Sequence, residues 1–91
     1  MDRENLHLTL HKKWFDEILS GKKKFEYRDI KPYWTKRLFD ETGKPINYKR
    51  IIFRNGYSKD CRKMIVEFLG VFIINNKYTI KLGKIIEAMN L

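Results

Sequence analysis

Gly21-Lys22-Lys23-Lys24-Phe25-Glu26-Tyr27-Arg28 brings a glycine, a lysine cluster and a glutamate–arginine pair into eight consecutive positions. Just upstream, Trp14, Phe15, Ile18 and Leu19 recur at i, i+1, i+4 and i+5, which predicts a short amphipathic helix with all four in the core. Lys12, Lys13, Asp16 and Glu17 occupy its other side. Ser20-Gly21 ends this helix, because glycine adopts the left-handed cap conformation at least cost. Lys22 to Lys24 then lie near the negative end of the helix dipole, whereas Lys12 and Lys13 face its positive end and leave the start poorly capped. From Lys24 to Arg28 the chain alternates as a strand, with Phe25 and Tyr27 on one face and Lys24, Glu26 and Arg28 on the other. Counted as part of that strand, Lys23 points away from Glu26. It joins Glu26 in one site only if it sits in the turn.

The same reading extends in both directions. Leu6 to Leu10 alternates as a half-buried strand. Pro32 suits the first turn of a second short helix, and Tyr33, Trp34, Arg37 and Leu38 give that helix a face. Asp40 to Pro45 is a polar loop carrying both glycine and proline. Lys49 to Arg54 is β-prone and stops at the turn dipeptide Asn55-Gly56, after which Tyr57 to Lys63 reads as a hairpin loop. Met64 to Ile74 is apolar except at Glu67 and Gly70, and Gly70 marks a bulge or bend. Asn75-Asn76 is the next turn and Tyr78 to Leu82 the next strand; Gly83 interrupts, and residues 84–91 fit strand and helix equally. Five to six short, mostly antiparallel strands with two short helices predict an α+β domain built on a small closed or nearly closed barrel.

Ninety-one residues form a single domain, 1–91, with residues 1–5 read as a flexible tail. No run of about 18 apolar residues occurs, and the first five residues lack a signal peptide's apolar stretch. One cysteine, Cys61, forms no internal disulfide and reads as an ordinary loop thiol, so the expected compartment is the reducing cytoplasm, with no membrane partner. Twenty lysines and arginines against eleven acids give a net charge of +9, which favours polyanions, nucleic acid above all. A lysine-rich surface that only keeps the domain soluble is the other reading of that charge.

No G-x-S-x-G, C-x-x-C, H-E-x-x-H or phosphate-cradling glycine loop is present, and no cofactor is implied. His7 and His11 have no Cys or acidic neighbour suited to metal binding, so both read as structural or surface histidines and no metal site is expected. Chemistry therefore concentrates at Gly21 to Arg28. Glu26 suits hydrogen bonds from an exocyclic amine, and Arg28 suits a phosphate or a bracing contact to Glu26. An internal ion pair that merely shapes the barrel fits these residues equally well.

Read as G-x-K-x-x-E-x-R, residues Gly21, Lys23, Glu26 and Arg28 resemble the signature of the ASCH domain, a small member of the PUA-like β-barrel group. The helix from Trp14 to Ser20 is similar to the one that leads into that glycine. Arg54 to Tyr57 and Val66 to Gly70 are similar to later strands of small ASCH proteins. The resemblance runs from about Leu6 to Gly70, and more loosely over Tyr78 to Ile86. It implies a PUA-like barrel with an RNA-binding cleft beside the motif strand. Some ASCH branches are hydrolases. One resembles amidohydrolases of acylated cytidines and has a threonine where this chain has Glu26; another is described as ribonucleases, which need a base and a charge stabiliser.

The resulting expectation is an RNA-binding module that holds a single-stranded or flipped nucleotide, or a nucleotide-like ligand, beside Lys23, Lys24, Glu26 and Arg28. Arg50, Arg54, Tyr57 and Lys59 are the candidate rim. The first alternative is a small hydrolase with Lys23, Glu26 and Tyr57 as catalytic candidates: a ribonuclease ahead of an N4-acylcytidine amidohydrolase. The second is a protein-interaction domain.

Overall fold

Alternation and turn chemistry shape the chain much as its sequence implies. A computed structural model describes residues 4–91. Along them lie β1 (Asn5–Thr9), α1 (Lys12–Leu19), β2 (Phe25–Asp29), α2 (Pro32–Leu38), β3 (Arg50–Asn55), β4 (Arg62–Ile74) and β5 (Lys77–Met89). The strands form one sheet in the order β1-β3-β4-β5-β2. The β1–β3 pair is parallel and the other pairs are antiparallel. The sheet curls into a half-barrel with two short helices. It is an α+β domain, as expected, with an open seam in place of full closure.

The meander β3-β4-β5 is the backbone of this arrangement. Asn75 and Asn76 both adopt positive φ, 51° and 62°, the pair of conformations that matches a tight turn to the right-handed twist of its strands. Gly70, at φ +125°, sits where the β4–β5 register shifts between Phe68 and Val71, so the bulge expected there is present. It lets a 13-residue strand bend with the sheet. Several boundaries shift by one residue from the sequence reading, and two differ by more. Arg62 and Lys63 belong to β4 and not to the preceding loop, and β5 runs through Gly83 to Met89, settling 84–89 as strand.

The concave side is filled by Leu6 and Leu8 from β1, Ile51 and Phe53 from β3, Met64, Val66 and Phe68 from β4, and Ile80 and Leu82 from β5. Helix α1 inserts Phe15 and Ile18, and α2 inserts Leu38. Full burial of a side chain such as Phe15 contributes about 1.5–3 kcal/mol. Leu19 packs at the margin. Trp14 departs from expectation: at 39% exposure it is not a core residue, because it stands at the edge of the apolar arc that Phe15 and Ile18 centre. The expected tail over 1–5 falls partly outside the described residues. Asn5 already opens β1, and the Glu4 carbonyl accepts the backbone N–H of Lys49 at 2.9 Å.

Loop 39–49 is held by Asp40, whose Oδ1 accepts the backbone N–H groups of Thr42 (2.9 Å) and Lys44 (3.0 Å), the self-bracing typical of aspartate in turns. No helix among the described residues is long and apolar enough to cross a membrane.

Candidate functional site

The turn out of α1 positions the site. Ser20 N–H bonds the Asp16 carbonyl (2.9 Å) and Gly21 N–H the Ile18 carbonyl (3.0 Å), with Gly21 at φ +83°. A residue with a β-carbon is strained there, so glycine reverses the chain most cheaply. Lys23 N–H then bonds the Glu17 carbonyl at 3.1 Å, which holds Lys23 in the turn. Strand β2 starts only at Phe25. The parity condition is met: Lys23 approaches Glu26 from the turn.

On β2, Glu26 pairs with Ile80 and Arg28 with Tyr78, both buried partners. The ionisable face of the strand is therefore turned inward, and the Phe25/Tyr27 face outward. This inverts the usual choice for a strand at the side of a core. Glu26 is 5% exposed. Its Oε1 accepts the backbone N–H of Tyr27 at 2.9 Å and faces Arg28 Nη1 at 3.3 Å and Lys23 Nζ at 3.7 Å. Its Oε2 is buried and has no hydrogen-bond partner among the described residues. One oxygen is thus crowded and the other bare. An unsatisfied buried acceptor typically costs about 1–3 kcal/mol, so such a group marks a functional position more readily than a structural one.

The two cations are themselves supported. Lys23 Nζ lies 4.9 Å from the centroid of Trp14 and 4.8 Å from that of Tyr27, both within cation–π range. Arg28 Nη1 donates to the Tyr27 carbonyl at 2.8 Å, and its guanidinium stands 5.1 Å from the Trp34 ring. Arg28 Nη2 also reaches to 3.5 Å from the Thr9 carbonyl, so its side chain spans the seam between edge strands β2 and β1. A cleft of about 560 Å³ opens at that seam. Lys23, Glu26, Tyr27 and Arg28 form one wall; Thr9, Leu10, His11 and Trp14 form the other.

The sequence-derived candidates divide accordingly. Lys23, Glu26 and Arg28 are brought together at the cleft. Lys24, Arg50, Arg54, Tyr57 and Lys59 do not line it. Lys24 is exposed, its carbonyl accepting Leu82 N–H at 3.0 Å as β2 begins. Arg50 opens β3, and Arg54 stands in register with Thr9. Tyr57, 92% exposed, and Lys59 lie in loop 56–61. Sequence reasoning missed Thr9, Leu10 and His11, whose part depends on how β1 meets the seam, and it assigned Trp14 to the core. The i, i+4 spacing that suggested a core helix also allows an edge residue, and the sole hint was the lysines around Trp14. No group of three or more His, Cys, Asp or Glu able to hold a metal occurs among the described residues.

A second ion-pair cluster, around Asp16 of α1, stands outside the cleft. Asp16 Oδ1 pairs with Arg62 Nη1 at 2.8 Å and Oδ2 with Lys12 Nζ at 2.8 Å. Arg62 also donates from Nε (3.2 Å) and Nη2 (2.9 Å) to Asn55 Oδ1, and Asn55 donates to the Leu10 carbonyl at 3.0 Å. The hydrogen bonds from Lys12 and then Arg62 hold the Asp16 carboxyl below its ordinary value of 3.8. Asp29 is lowered in the same way, chiefly by its hydrogen bond from Lys77. No family model matches this chain, and no curated protein matches it either.

Proposed function

We propose that this chain is an ASCH-type RNA-binding module of the cytoplasm that holds a single-stranded or flipped nucleotide in the cleft between β1 and β2. The observation that carries this reading is Glu26: a buried carboxylate whose Oε1 is occupied by Tyr27 N–H, Arg28 and Lys23 while Oε2 has no partner among the described residues. An exocyclic amine on a base edge is a donor of the kind Oε2 lacks. Trp14, half-exposed at the opposite wall, offers a face for stacking, worth about 1–3 kcal/mol per base. Lys23 and Arg28 compensate a phosphate as well as Glu26, and the net charge of +9 adds long-range attraction. Cys61 is a free thiol, in keeping with a reducing compartment.

Titration of single-stranded RNA at two salt concentrations tests the proposal. Affinity is expected to fall steeply with salt, with a log–log slope of about −0.7 per phosphate engaged. Lys23→Ala and Arg28→Ala are expected to weaken binding to all sequences, whereas Glu26→Gln changes base preference more than overall affinity. Salt-independent binding, or a base preference untouched by Glu26→Gln, overturns the reading. A domain that binds no RNA at either salt favours the protein-interaction alternative.

The hydrolytic alternative has one observation behind it, the Lys23–Glu26 pair in a shared cleft at 3.7 Å. Against it, Asp16 is engaged by Arg62 and Lys12, and Tyr57 does not line the cleft. Incubation with N4-acetylcytidine and with RNA, followed by chromatography, is expected to leave both intact. Turnover that disappears in Glu26→Gln would make the protein a hydrolase instead.

A further inference from the structure

Tyr27 belongs to two concavities. One side of it lines the cleft; the other lines a groove of about 220 Å³ on the outer face of the sheet, together with Phe25, Ile74, Asn75, Lys77 and Thr79. Strand register explains the groove. Tyr27 pairs with Thr79, and Thr79 pairs with Phe72, so these three form one outward-facing row across β2, β5 and β4. Thr79 is only 2% exposed although it faces outward, because larger neighbours rise on either side of it. It forms a floor. Tyr27 and Ile74 stand two strand spacings apart across the sheet and two residues apart along it, roughly 12 Å on the diagonal, which leaves room for one planar ring between their side chains.

Charge indicates the occupant. Lys81 faces Phe25 in register, and Lys24 precedes it; both are exposed and have no ion-pair partner among the described residues. Asp29, the carboxylate in the neighbouring row, is paired with both Lys77 and Lys31. Lys23 sits over the Tyr27 ring at 4.8 Å, at the rim between cleft and groove. Aromatic and aliphatic walls with unpaired lysines beside them suit the stacked base and phosphate of a single-stranded nucleic acid.

Resting on the nucleotide reading of the cleft, we infer that the ligand is a single-stranded RNA segment of at least two nucleotides. The first base occupies the cleft, the backbone crosses Tyr27, and the neighbouring base lies in the outer groove over Thr79 between Tyr27 and Ile74. The phosphate between the two positions is compensated by Lys23 and Lys81. The cleft selects the base and the groove selects length.

Amide NMR of the full chain, titrated with cytidine 5′-monophosphate and with the cytidylyl-cytidine dinucleotide, tests the inference. The mononucleotide is expected to shift the signals of Thr9, Glu26 and Arg28. The dinucleotide should in addition shift those of Ile74, Asn75 and Thr79 and bind about 5- to 100-fold more tightly, the gain of one stacked base. Ile74→Glu and, to a smaller extent, Lys81→Ala should remove that gain and leave mononucleotide binding unchanged. Equal affinity for the two ligands overturns the inference, and so does a length gain that survives both substitutions. Sedimentation as a dimer that Ile74→Glu dissociates assigns the outer face to a second copy of the chain and overturns it too. Groove shifts with the dinucleotide but no mononucleotide binding uphold the groove and sink the cleft reading alone; silence with both ligands sinks both.

Discussion

Two acid–base clusters, one on helix α1 and one on the turn and strand that follow it, are built from the same parts and put to opposite uses. In one, Asp16 is flanked by Lys12 and Arg62, and Arg62 lies 4.5 Å from the Phe15 ring. In the other, Glu26 is flanked by Lys23 and Arg28, and Lys23 lies 4.9 Å from the Trp14 ring. Each has a carboxylate, a lysine, an arginine and an aromatic ring. At Asp16 each oxygen has its own cation at 2.8 Å, and the group is partly open to solvent. At Glu26 both cations crowd one oxygen at 3.3 and 3.7 Å, the other oxygen is bare, and the group is buried. Short, distributed contacts at a wet site brace the fold. Long, one-sided contacts at a dry site leave acceptor capacity unspent, and that separates a strut from a binding group.

The sharpest way to break this comparison is to truncate the adjacent rings. Phe15→Ala removes a fully buried side chain and should cost about 3–5 kcal/mol, enough to leave a domain of this size barely folded. Trp14→Ala should leave the melting temperature within a few degrees of wild type yet weaken RNA binding about 5-fold or more. Thermal melts and RNA titrations of the two variants side by side are the check. Equal destabilisation would return Trp14 to the core.

A smaller effect is expected from Arg62→Ala. It removes the contacts to Asp16 and Asn55 together, and at about 1–3 kcal/mol it should show as a lower urea midpoint with RNA affinity retained. Smaller again is the effect of Glu26→Met on stability. Because the wild-type carboxylate is buried and half-satisfied, an apolar replacement of similar length should leave the urea midpoint unchanged or raise it, while RNA binding is lost. A pronounced fall in midpoint would show that the Glu26 ion pairs hold the fold.

Acid titration gives the smallest difference. Asp16 and Asp29 have folded pKa values below their ordinary 3.8. Their contribution is thus fully present above that value and is lost as pH falls through the depressed folded value. Stability of the wild type should decline below about pH 4, and Asp16→Asn should flatten part of that decline. An acid limb identical in the two proteins would show that Asp16 does not take part.

Much of the fold was legible because its signals are local. Gly21, Gly70 and Asn75-Asn76 each require or favour a particular backbone conformation, and each stands where the chain turns or bends. The motif residues Lys23, Glu26 and Arg28 were legible for the same reason, all lying within one turn and one strand. What the sequence could not carry is relational. Alternation separates Phe25 and Tyr27 from Glu26 and Arg28 but does not say which face is interior, and hydrophobicity alone points to the wrong one. Helical spacing orients Trp14 and Phe15 alike, although only Phe15 has the sheet in front of it. Thr9 enters the site through a main-chain carbonyl, to which side-chain identity is blind. Arg50, Arg54, Tyr57 and Lys59 attracted attention by residue type, and the register of β3 and the path of loop 56–61 place them apart from the cleft.

The strand order also gives the cleft a position in time. Ile74 pairs with Lys77 across a two-residue turn, whereas Asn5 must find Arg50 and Glu26 must find Ile80. Closing such long loops costs entropy before any contact repays it, so the β3-β4-β5 meander is expected to form first and the two outer strands to dock last. Pulse-labelled hydrogen exchange during refolding should accordingly protect amides of β4 and β5 ahead of those of β1 and β2. Both walls of the cleft come from the late-arriving segments. A nascent chain therefore holds no ligand until its last strands have joined, and the ligand, once bound, fastens together the two ends of the sheet.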